Sequence, residues 1–248
     1  MKNHGRFILM GVLCLAVGSA RAQFGPGTGP SFSGSMAKLF GDNSSFSANV
    51  QMQMKSAVSG QPMEMPGKIS VSEGKTRFES DMSGKLPAQA AAMGLDKTVM
   101  IARPDKMLNY MIFPGLQAYF EMPLQTPEAA KPESDFKIEL TELGKETIDG
   151  HPCIKNKAIV TDSEGNKHEA TLWNAKDLNK FPVKIEQDDQ GITGTILFKD
   201  VKLSKPNADL FEPPAGYTRY ANMQAMMQQV MMKRLGGGVG APPAAPRQ

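Results

Sequence analysis

Residues 46–55 alternate without exception, with Phe46, Ala48, Val50, Met52 and Met54 against Ser47, Asn49, Gln51, Gln53 and Lys55. A period of two puts the two sets on opposite faces of an extended strand. The pattern returns at 76–82, where Phe78 and Met82 stand against Arg77, Glu79 and Asp81, and at 136–141, where Phe136, Ile138 and Leu140 stand against Lys137 and Glu139. Less regular apolar stretches at 68–72, 98–102, 107–113, 117–122, 154–161, 167–173, 182–187 and 192–203 bring the expectation to about eleven strands.

The joints are short and carry turn chemistry. Asp149-Gly150 suits a two-residue hairpin, and residues 162–166 (DSEGN) and 188–191 (DDQG) suit slightly longer ones. Strands joined this way run antiparallel, so the predicted fold is mainly β, a meandering antiparallel sheet. Three short helical segments interrupt it: a turn after Ser35 with Met36, Leu39 and Phe40, an Ala-rich run from Pro87 to Gly94, and a longer helix over about 219–235. On the last, Met223, Met226, Met227, Val230 and Met231 form one apolar stripe at helical spacing, and glycines 236–238 end it.

Methionine is distributed unevenly. Of 18, eleven lie between Met36 and Met122, none between Pro123 and Asn222, and five between Met223 and Met232. The two Met-rich parts are expected to meet in space. Methionine is flexible and polarisable and suits surfaces that adapt to ligands of variable shape. Met52, Met54, Met107, Met111 and the stripe Met223, Met226, Met227, Val230 and Met231 are therefore candidate lining for an apolar cavity, with ordinary core packing as the alternative. Thioethers also ligate Cu(I), and Met52-x-Met54, Met63-x-Met65 and Met227 with Met231 are spaced to share a face, although His151 and His168 are not near them in sequence.

Composition adds a destination. The first 22 residues hold Lys2, Arg6 and Arg21 and no acid, an apolar stretch over 7–17, and Ala20 and Ala22 around Arg21. These are the parts of an export leader cleaved after Ala22, and the apolar stretch is too short to span a bilayer. The chain's 28 Lys+Arg against 25 Asp+Glu thus leave a body with no net charge, without the basic excess that nucleic-acid binding calls for. The expected organisation is a signal peptide at 1–22, a Gly/Pro/Ser-rich linker at 23–35, a β domain with a Met-rich C-terminal helix at 36–235, and a Gly/Pro/Ala-rich tail at 236–248. Beyond the leader stands one cysteine, Cys153, so no internal disulfide is available and burial is its expected role.

Residue detail in the C-terminal half carries a resemblance. The segments are Ile148-Asp149-Gly150-His151-Pro152-Cys153, Ala170-Thr171-Leu172-Trp173-Asn174-Ala175-Lys176-Asp177-Leu178 running into Phe181-Pro182-Val183-Lys184, Phe198-Lys199-Asp200-Val201, and Leu210-Phe211-Glu212-Pro213-Pro214-Ala215-Gly216-Tyr217. With the strand order from about 46 to 217, they resemble the periplasmic lipoprotein-carrier superfamily. The resemblance implies a single curved open sheet or half-barrel whose inner side is covered by short helices, and a periplasmic location. It also implies a lipid or lipoprotein acyl chain as partner, or an envelope protein for relatives that act as sensors. Arg77 and Arg103 match no family position residue by residue.

Enzymatic signatures are missing. No G-x-S-x-G occurs, the His151-x-Cys153 pair lacks an identifiable third group and supplies only two metal ligands, and no Gly-rich loop opens a helix after a strand. Trp173 is expected to anchor the core. The expectation is a non-enzymatic binding protein for a hydrophobic ligand, with no cofactor, no metal centre, no nucleic acid and no membrane span. A Met-based Cu(I)-binding protein and an envelope sensing or interaction module are the alternatives.

Overall fold

The computed structural model describes residues 35–56, 62–124, 135–162, 164–189 and 192–234. The expected leader, the tail and all of the linker except Ser35 lie outside the described residues. Strands are β1 (Ser45–Ser56), β2 (Pro62–Ser72), β3 (Lys75–Asp81), β4 (Lys97–Arg103), β5 (Leu108–Phe113), β6 (Ala118–Pro123), β7 (Lys137–Ile148), β8 (His151–Thr161), β9 (Lys167–Ala175), β10 (Pro182–Asp189), β11 (Ile192–Lys202) and β12 (Thr218–Tyr220). Helices are α1 (Ser35–Lys38), α2 (Ala88–Ala92) and α3 (Met223–Arg234). Each of the eleven expected strands is present as β1 to β11.

All twelve strands form one open sheet in the order β12-β6-β5-β4-β3-β2-β1-β11-β10-β9-β8-β7. Two meanders, β1 to β6 and β7 to β11, join through the antiparallel β1–β11 pair. The hairpins are set locally. At the β7–β8 turn Asp149 (φ 50°) and Gly150 (φ 85°) are both left-handed, the two-residue geometry whose twist matches the flanking strands, and Ile148 pairs with His151.

The third expected helix needs a correction. It starts at Met223 rather than near Arg219, because residues 218–220 pair in parallel with Ala118, Tyr119 and Phe120 as β12. Asn222 then begins the helix, its Oδ1 accepting the Ala225 N–H at 2.9 Å.

A flat sheet of twelve strands at about 4.8 Å spacing would be roughly 50 Å wide, and sheets of this size curl. Here α1 lies against β8, while Phe40, which follows it, stacks on Phe46 of β1, four strands away in the sheet order. The sheet therefore wraps around this N-terminal plug. Phe40, Phe46, Phe181 and Phe198 form the centre of the main core, with ring centroids 4.8–6.4 Å apart and mostly edge-to-face. Such offset and perpendicular arrangements suit the aromatic quadrupole.

Candidate functional site

Strand register sorts the N-terminal meander into two faces. The alternating set that begins with Phe46 continues across the sheet through Ile69, Phe78, Met100, Met111, Phe120 and Tyr220, and register carries it from strand to strand. This line of aromatic and methionine side chains is one face. The other carries Val99, Ile101, Tyr110 and Ile112. β4 is buried on both faces, which is why 99–102 read as an unbroken apolar run rather than an alternation.

Helix α3 covers the first face at the β5–β6 end. Met226 is wholly buried against Phe113, Ala118, Phe120 and Tyr220, with Met111, Met122, Met227 and Leu95 packed around them. The two Met-rich parts of the sequence do meet here. The stripe, however, is used only in part: Met226 is buried, Met227 and Val230 are half-buried, and Met223 (43%) and Met231 (57%) stay largely exposed.

The remaining candidates fall in two other places. Met52 is buried in the main core and Met54 is half-buried beside it, facing Met65 and Met63 across the β1–β2 pair. Met107 is in neither group. It occupies a left-handed turn position (φ 54°) between β4 and β5 and is 53% exposed.

Three polar atoms interrupt the first face. Thr76 Oγ1, Ser80 Oγ and Asn109 Oδ1 are buried with no hydrogen-bond partner, and register places all three beside the Phe78–Met100–Met111 line. Buried polar groups are normally satisfied, so three on one face mark it as different from a simple core. Sequence reading missed them, because each is a small polar residue at an inward position of an otherwise apolar strand face.

Gly67 explains how Phe78 fits. A Cβ there would come within 2.6 Å of the Phe78 ring and of the Glu79 carbonyl, so the absence of a side chain lets the ring lie across β2. Near the same strand ends is a cleft of 480 Å³ lined by Lys68, Glu79, Asp81 and Lys97. By alternation these charged side chains belong to the opposite face from Phe78 and Met100.

That opposite face is covered by the turn Ala208–Phe211 and by Tyr217, with Phe211 in the cluster of Ile101 and Tyr110. Two arginines fasten it. Arg77 donates to the Leu210 carbonyl at 3.0 Å and Arg103 to the Phe211 carbonyl at 3.0 Å. Arg103, buried, also meets Asp105 at 2.7 Å and the Glu212 carboxylate, which Lys106 reaches from outside at 2.9 Å. These contacts give Arg77 and Arg103 the role that the sequence left open.

The Arg103 hydrogen bond holds the Asp105 carboxyl below its ordinary range. For Glu212 burial is the largest influence and works upward, but hydrogen bonds from Lys106 and Arg103 outweigh it and the net direction is down. Carboxylates lowered in the folded state add stability above their unfolded pKa and lose it as pH falls through the folded value. Arg103→Met is expected to cost about 2 kcal/mol at pH 7, the scale of charge-assisted hydrogen bonds at a half-exposed pair. In urea melts from pH 7 to pH 3 the wild type should weaken below about pH 4, and the variant should show a shallower acid limb.

On the C-terminal meander, Trp173 is buried and its Nε1–H donates to Glu146 at 2.8 Å. Lys184 and Lys155 lie 4.1 and 4.9 Å from its ring centroid, closing it to ligands, so it anchors the core as expected. Cys153 is buried, and burial pushes its thiol upward in pKa, away from the reactive thiolate. His151 Nδ1 pairs with Asp177 at 2.7 Å, which lowers the Asp177 carboxyl. Among the described residues no three His, Cys, Asp or Glu side chains are grouped to hold a metal ion, and no helix is long and apolar enough to cross a membrane.

A family profile matches residues 46–181, more than half of the chain, and is described as a domain of unknown function, DUF4412. The chain belongs to the DUF4412 family. The DUF4412 match begins at Phe46 and ends at Phe181, two of the four phenylalanines at the centre of the main core, and leaves α3 outside it. No curated protein matches this DUF4412 member in sequence. Solved structures that align with it include a LolA-superfamily protein from Nitrosomonas europaea, at 11% identity over 72% of this chain and 94% of that one, with a TM-score of 0.41. The lipoprotein LppX of Mycobacterium tuberculosis aligns at 11% identity over 70% and 96%, with a TM-score of 0.42. LprF of Mycobacterium bovis aligns at 14% identity over 71% and 93%, with a TM-score of 0.37.

Proposed function

We propose that this protein is a non-enzymatic periplasmic carrier or binding protein for a hydrophobic ligand, a lipid or a lipoprotein acyl chain, held between the Phe78–Met100–Met111–Phe120 face and helix α3. One observation carries the reading: an apolar, methionine-rich sheet face is closed at the β5–β6 end by a helix that is buried there chiefly through Met226. Burying one such side chain is worth about 1.5–3 kcal/mol, so the helix can yield to an acyl chain that offers the face comparable apolar contact. Methionines on both sides can adjust to chains of different length. The unpartnered Thr76 and Ser80 hydroxyls would serve an ester or headgroup oxygen at the margins of that face.

Native mass spectrometry of protein isolated from the periplasm tests this. Co-purified lipid, displaced by a fluorescent fatty acid, is expected. Bare protein that also fails to bind the fatty acid would refute the reading. A second reading, an envelope interaction module, draws on the exposed Leu140 and Leu143 of the edge strand β7, and a cross-linked envelope protein in place of lipid would decide for it.

A further inference from the structure

The antiparallel β1–β2 pair carries a mirror pattern, Met52-x-Met54 on β1 and Met63-x-Met65 on β2. Register turns the pattern into an array: Met52 is opposite Met65 and Met54 is opposite Met63, all four on the face that bears Phe46. Opposed residues have Cβ atoms about 4.5–5.5 Å apart, and next-but-one positions along a strand lie about 7 Å apart. Each methionine adds a flexible arm ending in sulfur, so four thioethers can converge on a single point.

The surroundings favour that use. Met52 (3%) is buried and Met63 (60%) is exposed, so the array runs from a fixed inner pair to an accessible outer one. On β11, Gly194 stands opposite Met54 and leaves its flank without a side chain. Gln53 and Glu64, between the methionines, project to the other face and hydrogen-bond to each other at 3.0 Å, which pins the register and places a carboxylate behind the sulfurs.

We propose that Met52, Met54, Met63 and Met65 form a site for a soft monovalent cation, Cu(I). Uncharged thioethers select soft ions over Zn²⁺, Mg²⁺ and Ca²⁺. With four sulfurs from one strand pair, the site needs no histidine, so the distance of His151 and His168 in sequence does not count against it. Thioethers do not protonate, so binding is independent of pH, unlike that of imidazole or thiolate sites.

An anaerobic competition titration of Cu(I) against bicinchoninate tests the site. One tightly held equivalent is expected, with the same affinity at pH 5.5 and pH 7.5. Met54→Leu with Met63→Leu conserves volume and should leave the melting temperature nearly unchanged, while affinity falls by about 100-fold or more, beyond what disturbing even an indirect partner of a metal costs. Met52→Leu with Met65→Leu provides the inner-pair counterpart. Met223→Leu, Met231→Leu and Met232→Leu together should leave the affinity as it was. Failure of the wild type to hold a stoichiometric equivalent would overturn the proposal, and so would binding that survives replacement of all four methionines by leucine. Because the fatty-acid assay reads another part of the face, the two proposals fail independently.

Discussion

Phe46→Ala is expected to lower the stability of the protein by about 3–5 kcal/mol, the range for truncating a buried phenylalanine. Phe46 is 1% exposed and lies 4.9 Å from the Phe40 ring, 4.8 Å from Phe181 and 6.4 Å from Phe198. The substitution removes transfer free energy and leaves a cavity between elements that reach this point from three directions. Phe40 comes from the N-terminal plug, Phe181 from the entry to β10, and Phe198 from β11 at the seam of the two meanders. Rings paired in this way contribute a further amount of about 0.5–1.5 kcal/mol that alanine cannot replace. Against a total of about 5–15 kcal/mol for a domain, the loss should move the urea midpoint far while the slope stays near the wild-type value. Phe46→Leu, which keeps most of the volume, should cost less than half as much. A loss below about 1 kcal/mol for the alanine variant would show that the plug does not organise the seam.

Met226→Glu with Met227→Glu is expected to abolish fatty-acid-probe binding and leave the β circular dichroism signal intact. Met226 has no exposed surface, and its cluster of Phe113, Ala118, Phe120 and Tyr220 holds no cation to neutralise a carboxylate. Keeping a carboxylate in that place would cost several kcal/mol of desolvation, more than the helix gains by burying one methionine. The cheaper outcome is for α3 to leave the sheet. The sheet itself should survive, since its main core from Phe46 to Phe198 does not include α3. Probe titration and circular dichroism on the same sample separate the outcomes. Loss of the β signal would make α3 structural, and unchanged probe binding would remove it from the ligand site.

Local patterning made most of the fold readable. Residues 46–55 alternate because β1 has one core face and one polar face, and Asp149-Gly150 announces its hairpin because two consecutive left-handed positions admit few other pairs. Residues 218–220 could not be read, since three residues show no period and their partner β6 lies about a hundred positions earlier. The start of α3 shifted for the same reason: β12 holds Tyr220, and Asn222 then caps the helix. The role of Arg103 was equally hidden. Asp105 is two residues away, but Glu212 and the Phe211 carbonyl come from the far end of the domain.

The candidate site divides along the same line. Which residues are methionine, and that they gather in two stretches with a wide gap between them, is written in the chain itself, as is the alternation that sets Met52 and Met54 on one face. Helical spacing likewise groups Met223 with Met226 and Met231. Packing then separates them, burying Met226 under Phe120 and Tyr220 while Met223 and Met231 turn to solvent, because a helix docked by one edge on a sheet covers only part of its apolar stripe. Cross-strand register does the converse for the β1–β2 pair, bringing Met52 to Met65 and Met54 to Met63. Periodicity fixes the face a side chain occupies, but its neighbours across the sheet depend on strand order and register, which are long-range properties of the folded chain.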